Sequence, residues 1–245
     1  MPSELKGDAQ KERSPMDPVV MIPGMGSDAA VWQPTIDLLS RDVECHVGDT
    51  LSDDNLPAMA ARVLEHAPPK FALAGVSMGG MVALEIMRAA PDRVTRLFLC
   101  DTNARPDTAE QTANRQRTNA AMLATDDLAA LAGPFIDYMV HPKADSRVRD
   151  SLMQMTMRVG AAAYVRQNNA VMARRDLLPI LATVAVPTMV VVGAEDLMTP
   201  PAFSQAISDA VYGATIHVIP ECGHLPPIEK PSAVAQLIRE WLQRE

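Results

Sequence analysis

Ser77 stands in the run Gly75-Val-Ser77-Met-Gly79, between an apolar stretch, FALAGV (71–76), and a segment with helical spacing, MGGMVALEIMRAAP (78–91). A bend from strand directly into helix strains the backbone of its central residue and lifts that side chain above the sheet. Side chains at the flanking positions would collide, which accounts for Gly75 and Gly79, while Gly80 lets the helix pack closely. The residue held there carries a hydroxyl, a weak nucleophile at neutral pH. It becomes reactive when a base takes its proton and an acid orients that base.

In an open sheet of parallel strands the partners belong at the carboxyl ends of later strands. There are five histidines. His46 and His217 fall inside strand patterns, His66 near a helix end, and His141 in a long central segment. His224 follows the last strand, in ECGHLPP, where a glycine and two prolines shape a tight loop. It is the expected base. Two acids, Asp196 and Asp101, compete for the third role, with Glu195 behind them. Asp196 ends VVVGAED and gives the order Ser77, Asp196, His224; Asp101 ends LFLCDT; Glu195 adjoins Asp196 and points elsewhere. Asp196 is preferred, because its strand neighbours the histidine loop. A developing oxyanion needs donors, and the backbone N–H of Met78, first in the helix after Ser77, is one. The second is expected from IPGMGSD, after the first strand, where Gly24 and Gly26 let the Met25 N–H approach.

These residues require a scaffold. PVVMI (18–22), VECHVGDT (43–50), FALAGV, VTRLFLCDT (94–102), PTMVVVGAED (187–196) and TIHVIP (215–220) read as about six strands. Helical patterns alternate with them over 28–40, 54–67, 78–91, 203–211 and 231–243, with Pro34 in an early turn and Ser232 as a cap. Near-continuous apolar strands between helices mean an α/β protein with a mostly parallel sheet covered on both faces. Between 103 and 187 the alternation stops and helix formers dominate, so this segment reads as an inserted helical cap. The expected organisation is a polar tail over 1–17, a core over 18–102 and 188–245, and the cap between them.

Substrate choice should reside in the cap and loops. Trp32, Met122, Tyr138, Met139, Met153 and Tyr164 are the expected pocket residues, with core packing as the competing role for each. The cap carries ten Lys/Arg against eight Asp/Glu. Arg105, Arg147, Arg149, Arg158, Arg166, Arg174 and Arg175 could draw in a carboxylate-bearing substrate, or pair with neighbouring acids.

The chain of 245 residues has a net charge of −8, which argues against nucleic acid or an anionic membrane as partner. Cys45, Cys100 and Cys222 are too scattered for a disulfide framework or a zinc site. The polar start and the lack of a long apolar run point to the cytoplasm. The chemistry outlined above calls for no cofactor and no metal.

The sequence resembles the α/β-hydrolase superfamily from about residue 18 onward. IPGMGSDAAVW matches the oxyanion loop, with Pro23 where the family usually has His. GVSMGG matches the nucleophile turn, VVGAEDLMTP the acid loop and CGHLPPIEKPSAV the histidine loop. The family's antiparallel N-terminal hairpin has no counterpart, and Ser77 stands where the dehalogenase and epoxide-hydrolase branches have an acid. The resemblance implies an esterase or lactonase working through an acyl-enzyme on a small ester or lactone. Thioesterase, amidase, C–C bond hydrolase and perhydrolase activities fit the same residues, as does a small-molecule receptor of this fold.

Overall fold

A computed structural model describes residues 16–244; the first fifteen residues, within the expected tail, lie outside it. Six strands form one sheet in the order β2-β1-β3-β4-β5-β6. They are β1 (Val19–Ile22), β2 (Cys45–Val47), β3 (Phe71–Val76), β4 (Val94–Cys100), β5 (Thr188–Gly193) and β6 (Thr215–Ile219). Every pairing is parallel. Between and after them run α1 (Gln33–Leu39), α2 (Leu56–His66), α3 (Met78–Ala89), α4 (Ala109–Ala124), α5 (Leu128–Met139), α6 (Ser146–Met172), α7 (Leu178–Leu181), α8 (Pro201–Ala210), α9 (Pro226–Glu229) and α10 (Pro231–Leu242).

The strand sequences explain the layering. β3 is buried at all six positions, and successive side chains point to opposite faces. Ala72, Ala74 and Val76 join one apolar cluster, with Val19, Met21 and Phe98 from neighbouring strands and Trp241 from α10. Phe71 and Leu73 join the other, with Val20, Ile22 and Leu97 and the apolar faces of α2 and α3. Trp241 meets Phe98 edge-on at 5.5 Å between ring centroids, which seats α10 on its face.

Pro34 sits in the first turn of α1, as its fixed φ allows. Ser232 does not cap α10: the helix begins at Pro231, one residue earlier, and Lys230 holds the cap position without a side-chain bond. Pro226 and Pro227 also open α9, a single turn with no apolar period to announce it.

Everything between β4 and β5 that is regular is helical: α4, α5, α6 and α7. Gly160, with φ of 70°, kinks α6 and divides it into two helical pieces. The chain runs from β1 outward to β2 and then returns to β3 on the other side of β1. This reversal opens a crevice beyond the carboxyl ends of β1 and β3. Ser77 follows β3 directly, and Met25 lies in the loop after β1.

Candidate active site

Ser77 has φ 56° and ψ −122°, a left-handed region unfavourable for a residue with a Cβ. Several neighbours hold it there. Its N–H donates to the Cys100 carbonyl at 2.9 Å, and the Thr102 hydroxyl donates to its carbonyl at 2.7 Å. α3 then starts so close to β1 that a Cβ on Gly79 would lie 2.2 Å from the Ile22 carbonyl oxygen. Only glycine fits, and the contact fixes the height of the helix N-terminus behind Ser77.

The structure brings Ser77, His224 and Asp196 into one hydrogen-bonded line. Ser77 Oγ and His224 Nε2 are 2.9 Å apart, and His224 Nδ1 lies 2.9 Å from Asp196 Oδ2. His224 is 3% exposed and Asp196 2%, whereas Ser77 is half-buried and open to solvent. Asp196 Oδ1 accepts from the Met198 and Thr199 N–H groups, and Oδ2 from the Thr199 hydroxyl. Burial alone would raise its pKa. The His224 ring beside it, followed by the hydrogen bonds from His224, Asp101 and Thr199, outweighs burial and holds Asp196 well below the usual carboxylate range.

Asp101 is fully buried next to this line, in a left-handed conformation with φ 43°. Its Oδ1 accepts the Gly193 N–H at 2.9 Å, and Cys100 Sγ donates to Oδ2 at 3.1 Å. Burial, then the charge of Asp196, then the hydrogen bond to it push Asp101 well above its ordinary pKa. Of the two, Asp101 is the carboxyl driven toward its neutral form and Asp196 the one held as a carboxylate. The Glu195 carboxylate turns away to accept the Cys222 N–H at 3.0 Å. Asp101, Asp196 and His224 also place potential metal-ligating atoms within 4.8 Å of one another. Every carboxylate oxygen there already receives an N–H, O–H or S–H donor, so the cluster does not suit an ion.

Two supports were not read from the sequence. Glu229 accepts three backbone N–H groups: Gly223 and His141 on Oε2, and Leu225 on Oε1. Gly223 and Leu225 flank His224, so one carboxylate grips both sides of the histidine; the His224 N–H itself donates to Met139. Gln167 of α6 is fully buried. Its Oε1 accepts the Gly26 N–H at 2.8 Å and its Nε2 donates to the Thr50 carbonyl at 3.2 Å. That bond fixes the loop carrying Met25, where Gly26 itself adopts φ 70°. Glu229 lies in the quoted histidine loop but no spacing rule singles it out, and Gln167 is 141 residues from its partner.

A cleft of about 360 Å³ adjoins the site, lined by residues that include Met25, Met198, Tyr138 and Tyr164. A smaller apolar cavity beside it is lined by Met122, Met139 and Tyr164 among others. Trp32 and Met153 line neither. Trp32 is sealed in the core, its indole N–H donating to the Ile22 carbonyl at 3.1 Å, so core packing is its role. Of the two roles open to the cap arginines, anion attraction and pairing with acids, most take the second. Arg147 pairs with Asp145, Arg149 with Asp137, Arg158 with Asp28, Arg174 with Asp107 and Arg175 with Glu85. Arg166 donates to the Leu51 carbonyl, and none of these, nor Arg105, lines the cleft. His46, His66, His141 and His217 lie outside the Ser77 line; His46 pairs with Glu44, and His141 Nδ1 accepts the Lys143 N–H.

The model of the alpha/beta hydrolase family matches residues 19–237, and the chain belongs to that family. BpoC of Mycobacterium tuberculosis, provisionally named a non-heme bromoperoxidase, is 28% identical over 243 residues, covering 89% of this chain and 90% of its own. A pimeloyl-[acyl-carrier protein] methyl ester esterase of Pectobacterium carotovorum is 25% identical, covering 92% of this chain and 94% of its own. Among solved structures, a thermophilic esterase from Thermogutta terrifontis, studied with malate bound, superposes with a TM-score of 0.84 at 29% identity, covering 92% of this chain and 89% of that one. Among the described residues no helix is long and apolar enough to cross a membrane.

Proposed function

We propose that this chain is a serine hydrolase of small carboxylic esters or lactones that works through an acyl-enzyme. Ser77 Oγ attacks the carbonyl carbon and His224 Nε2 takes its proton. Asp196 holds the imidazole by Nδ1 and stabilises the imidazolium that forms. The Met78 and Met25 N–H groups receive the oxyanion. His224 then protonates the leaving alcohol, and in the second half the same ring activates water against the acyl carbon. No cofactor or metal enters these steps. Residues 103–187 act as the cap over the core of 18–102 and 188–245, and set which acyl groups enter.

The observation that carries this reading is the unbroken Ser77–His224–Asp196 line, with 2.9 Å at both links, on a strained strand–helix bend. Kinship to the two esterases supports the ester-cleaving direction. A cytoplasmic location goes with it, supported by the free thiols of Cys45, Cys100 and Cys222. The test is turnover of p-nitrophenyl acetate and a short-chain lactone. The account expects Ser77→Ala to lower kcat by at least about 10⁴-fold with an unchanged fold. Near-normal turnover by that variant would sink the proposal.

A further inference from the structure

Arg115 of α4 is the one charged residue among those lining the cleft beside the active site. It was not among the arginines that the sequence marked for anion binding. Its surroundings leave positive charge in the cleft. Asp107, almost fully buried, meets Arg115 Nε at 2.7 Å and Arg174 Nη2 at 2.6 Å, so two guanidinium groups share one carboxylate. Arg174 is buried and spends other protons on the Arg105 and Val171 carbonyls. Arg115, a quarter exposed, is the member of the trio on the cleft wall.

The guanidinium is also held in place. Arg115 Nη1 donates to Asn168 Oδ1 at 2.8 Å, and Asn168 in turn donates to the Arg115 carbonyl. Among the described residues no acceptor meets Nη2. Gln111 and Asn114 give the same wall neutral polar groups, suited to a second oxygen, while Asn168 spends its amide protons on the Arg115 carbonyl and Asn119 Oδ1. Arg115 reaches the loop after β1: its Nη1 lies 3.9 Å from the sulfur at the end of the Met25 side chain, and the backbone N–H of that residue is assigned to the oxyanion. A fixed, partly desolvated guanidinium with free N–H groups binds a carboxylate far more strongly than a solvated surface arginine does.

We infer that Arg115 anchors a second, anionic carboxylate on the acyl part of the substrate, so that the preferred substrates are half-esters of dicarboxylic acids. The inference rests on the hydrolase reading above. It adds a requirement on the end of the acyl chain remote from the scissile bond.

The experiment compares kcat/KM for monomethyl succinate, glutarate and adipate with methyl butyrate, valerate and hexanoate. For the wild-type chain the half-ester is favoured at one of these lengths by about tenfold or more, and the advantage shrinks with added salt. Arg115→Met removes most of that ratio and Arg115→Lys keeps part of it, while Arg147→Met, a control for net charge at an exposed site, leaves it intact. Should Arg115→Met not fold, competitive inhibition of the wild-type chain by free glutarate or adipate, against the matching diamide, reads the same anchor. Neutral esters cleaved as fast as half-esters at every length would overturn the inference and leave the hydrolase reading standing. A half-ester preference unchanged in Arg115→Met would overturn the assignment to Arg115. Failure of the wild-type chain to cleave any ester would instead remove the hydrolase reading, and this inference with it.

Discussion

A carboxylate oxygen of Asp101 lies within 4.8 Å of one of Asp196, at the ends of the adjacent strands β4 and β5 and out of contact with water. Two carboxylates that close and that buried do not both ionise. The charge settles on Asp196, which has the His224 imidazole and the donors of Met198 and Thr199 around it. Asp101 has the Gly193 N–H and a thiol. In the mechanism proposed above it serves as a positioning group, a neutral carboxyl that offers Asp196 a hydrogen-bond donor.

This has a pH signature. Asp101 is raised in the folded chain above its ordinary value of 3.8, so its contribution to stability is complete below that pH and is lost as pH rises toward the folded value. Asp101→Asn keeps a neutral donor and removes the titration. The stability of Asp101→Asn relative to wild type should climb by up to about 1.4 kcal/mol per pH unit above pH ~4. Guanidinium unfolding of both chains between pH 4 and 8 checks it, and a constant difference would contradict it. In activity, Asp101→Asn should stay close to wild type, and Asp101→Leu should lose about tenfold in kcat, for want of the donor.

Glu229 supplies the second prediction. Its carboxylate satisfies the N–H groups of Gly223, Leu225 and His141, so Glu229→Ala strands three backbone donors and frees both flanks of His224. Stability should fall by about 3 kcal/mol and kcat by about a hundredfold, with KM little changed. Glu229→Gln, which keeps one acceptor oxygen, should recover part of both. Equal losses in the two variants would show that volume, not the acceptor oxygens, is what matters there. The readouts are thermal unfolding and ester turnover.

The sequence discloses what is local. Phe71–Val76 announces a buried strand by composition, and Gly75, Ser77 and Gly79 announce the bend because a side chain at a crowded position is excluded by sterics alone. Asp196 and His224 can be placed because parallel strands deliver their carboxyl ends to one edge. The supports of that edge join residues far apart in the chain. Gln167 meets Gly26, and Arg115 faces Met25, only once α4 and α6 lie over the sheet, and no periodicity encodes that docking. Trp32 shows the opposite limit. Its position near the oxyanion loop fits a pocket wall, but its rigid ring fills the core and its N–H finds the Ile22 carbonyl. Among arginines, the sequence shows how many there are but not which acids meet them, so the choice between anion attraction and pairing stays open for Arg158 and Arg174 until the fold brings them to their partners Asp28 and Asp107.

Covalent trapping tests the central claim most directly, since it reads the nucleophile without needing the natural substrate. After incubation with an alkyl fluorophosphonate, intact-mass and peptide analysis of the wild-type chain should show one phosphonyl group, on the peptide bearing Ser77. Labelling should be absent in Ser77→Ala and slowed by at least about a thousandfold in His224→Ala. Equal labelling of the wild-type and Ser77→Ala chains, or an adduct on another residue, would contradict the account.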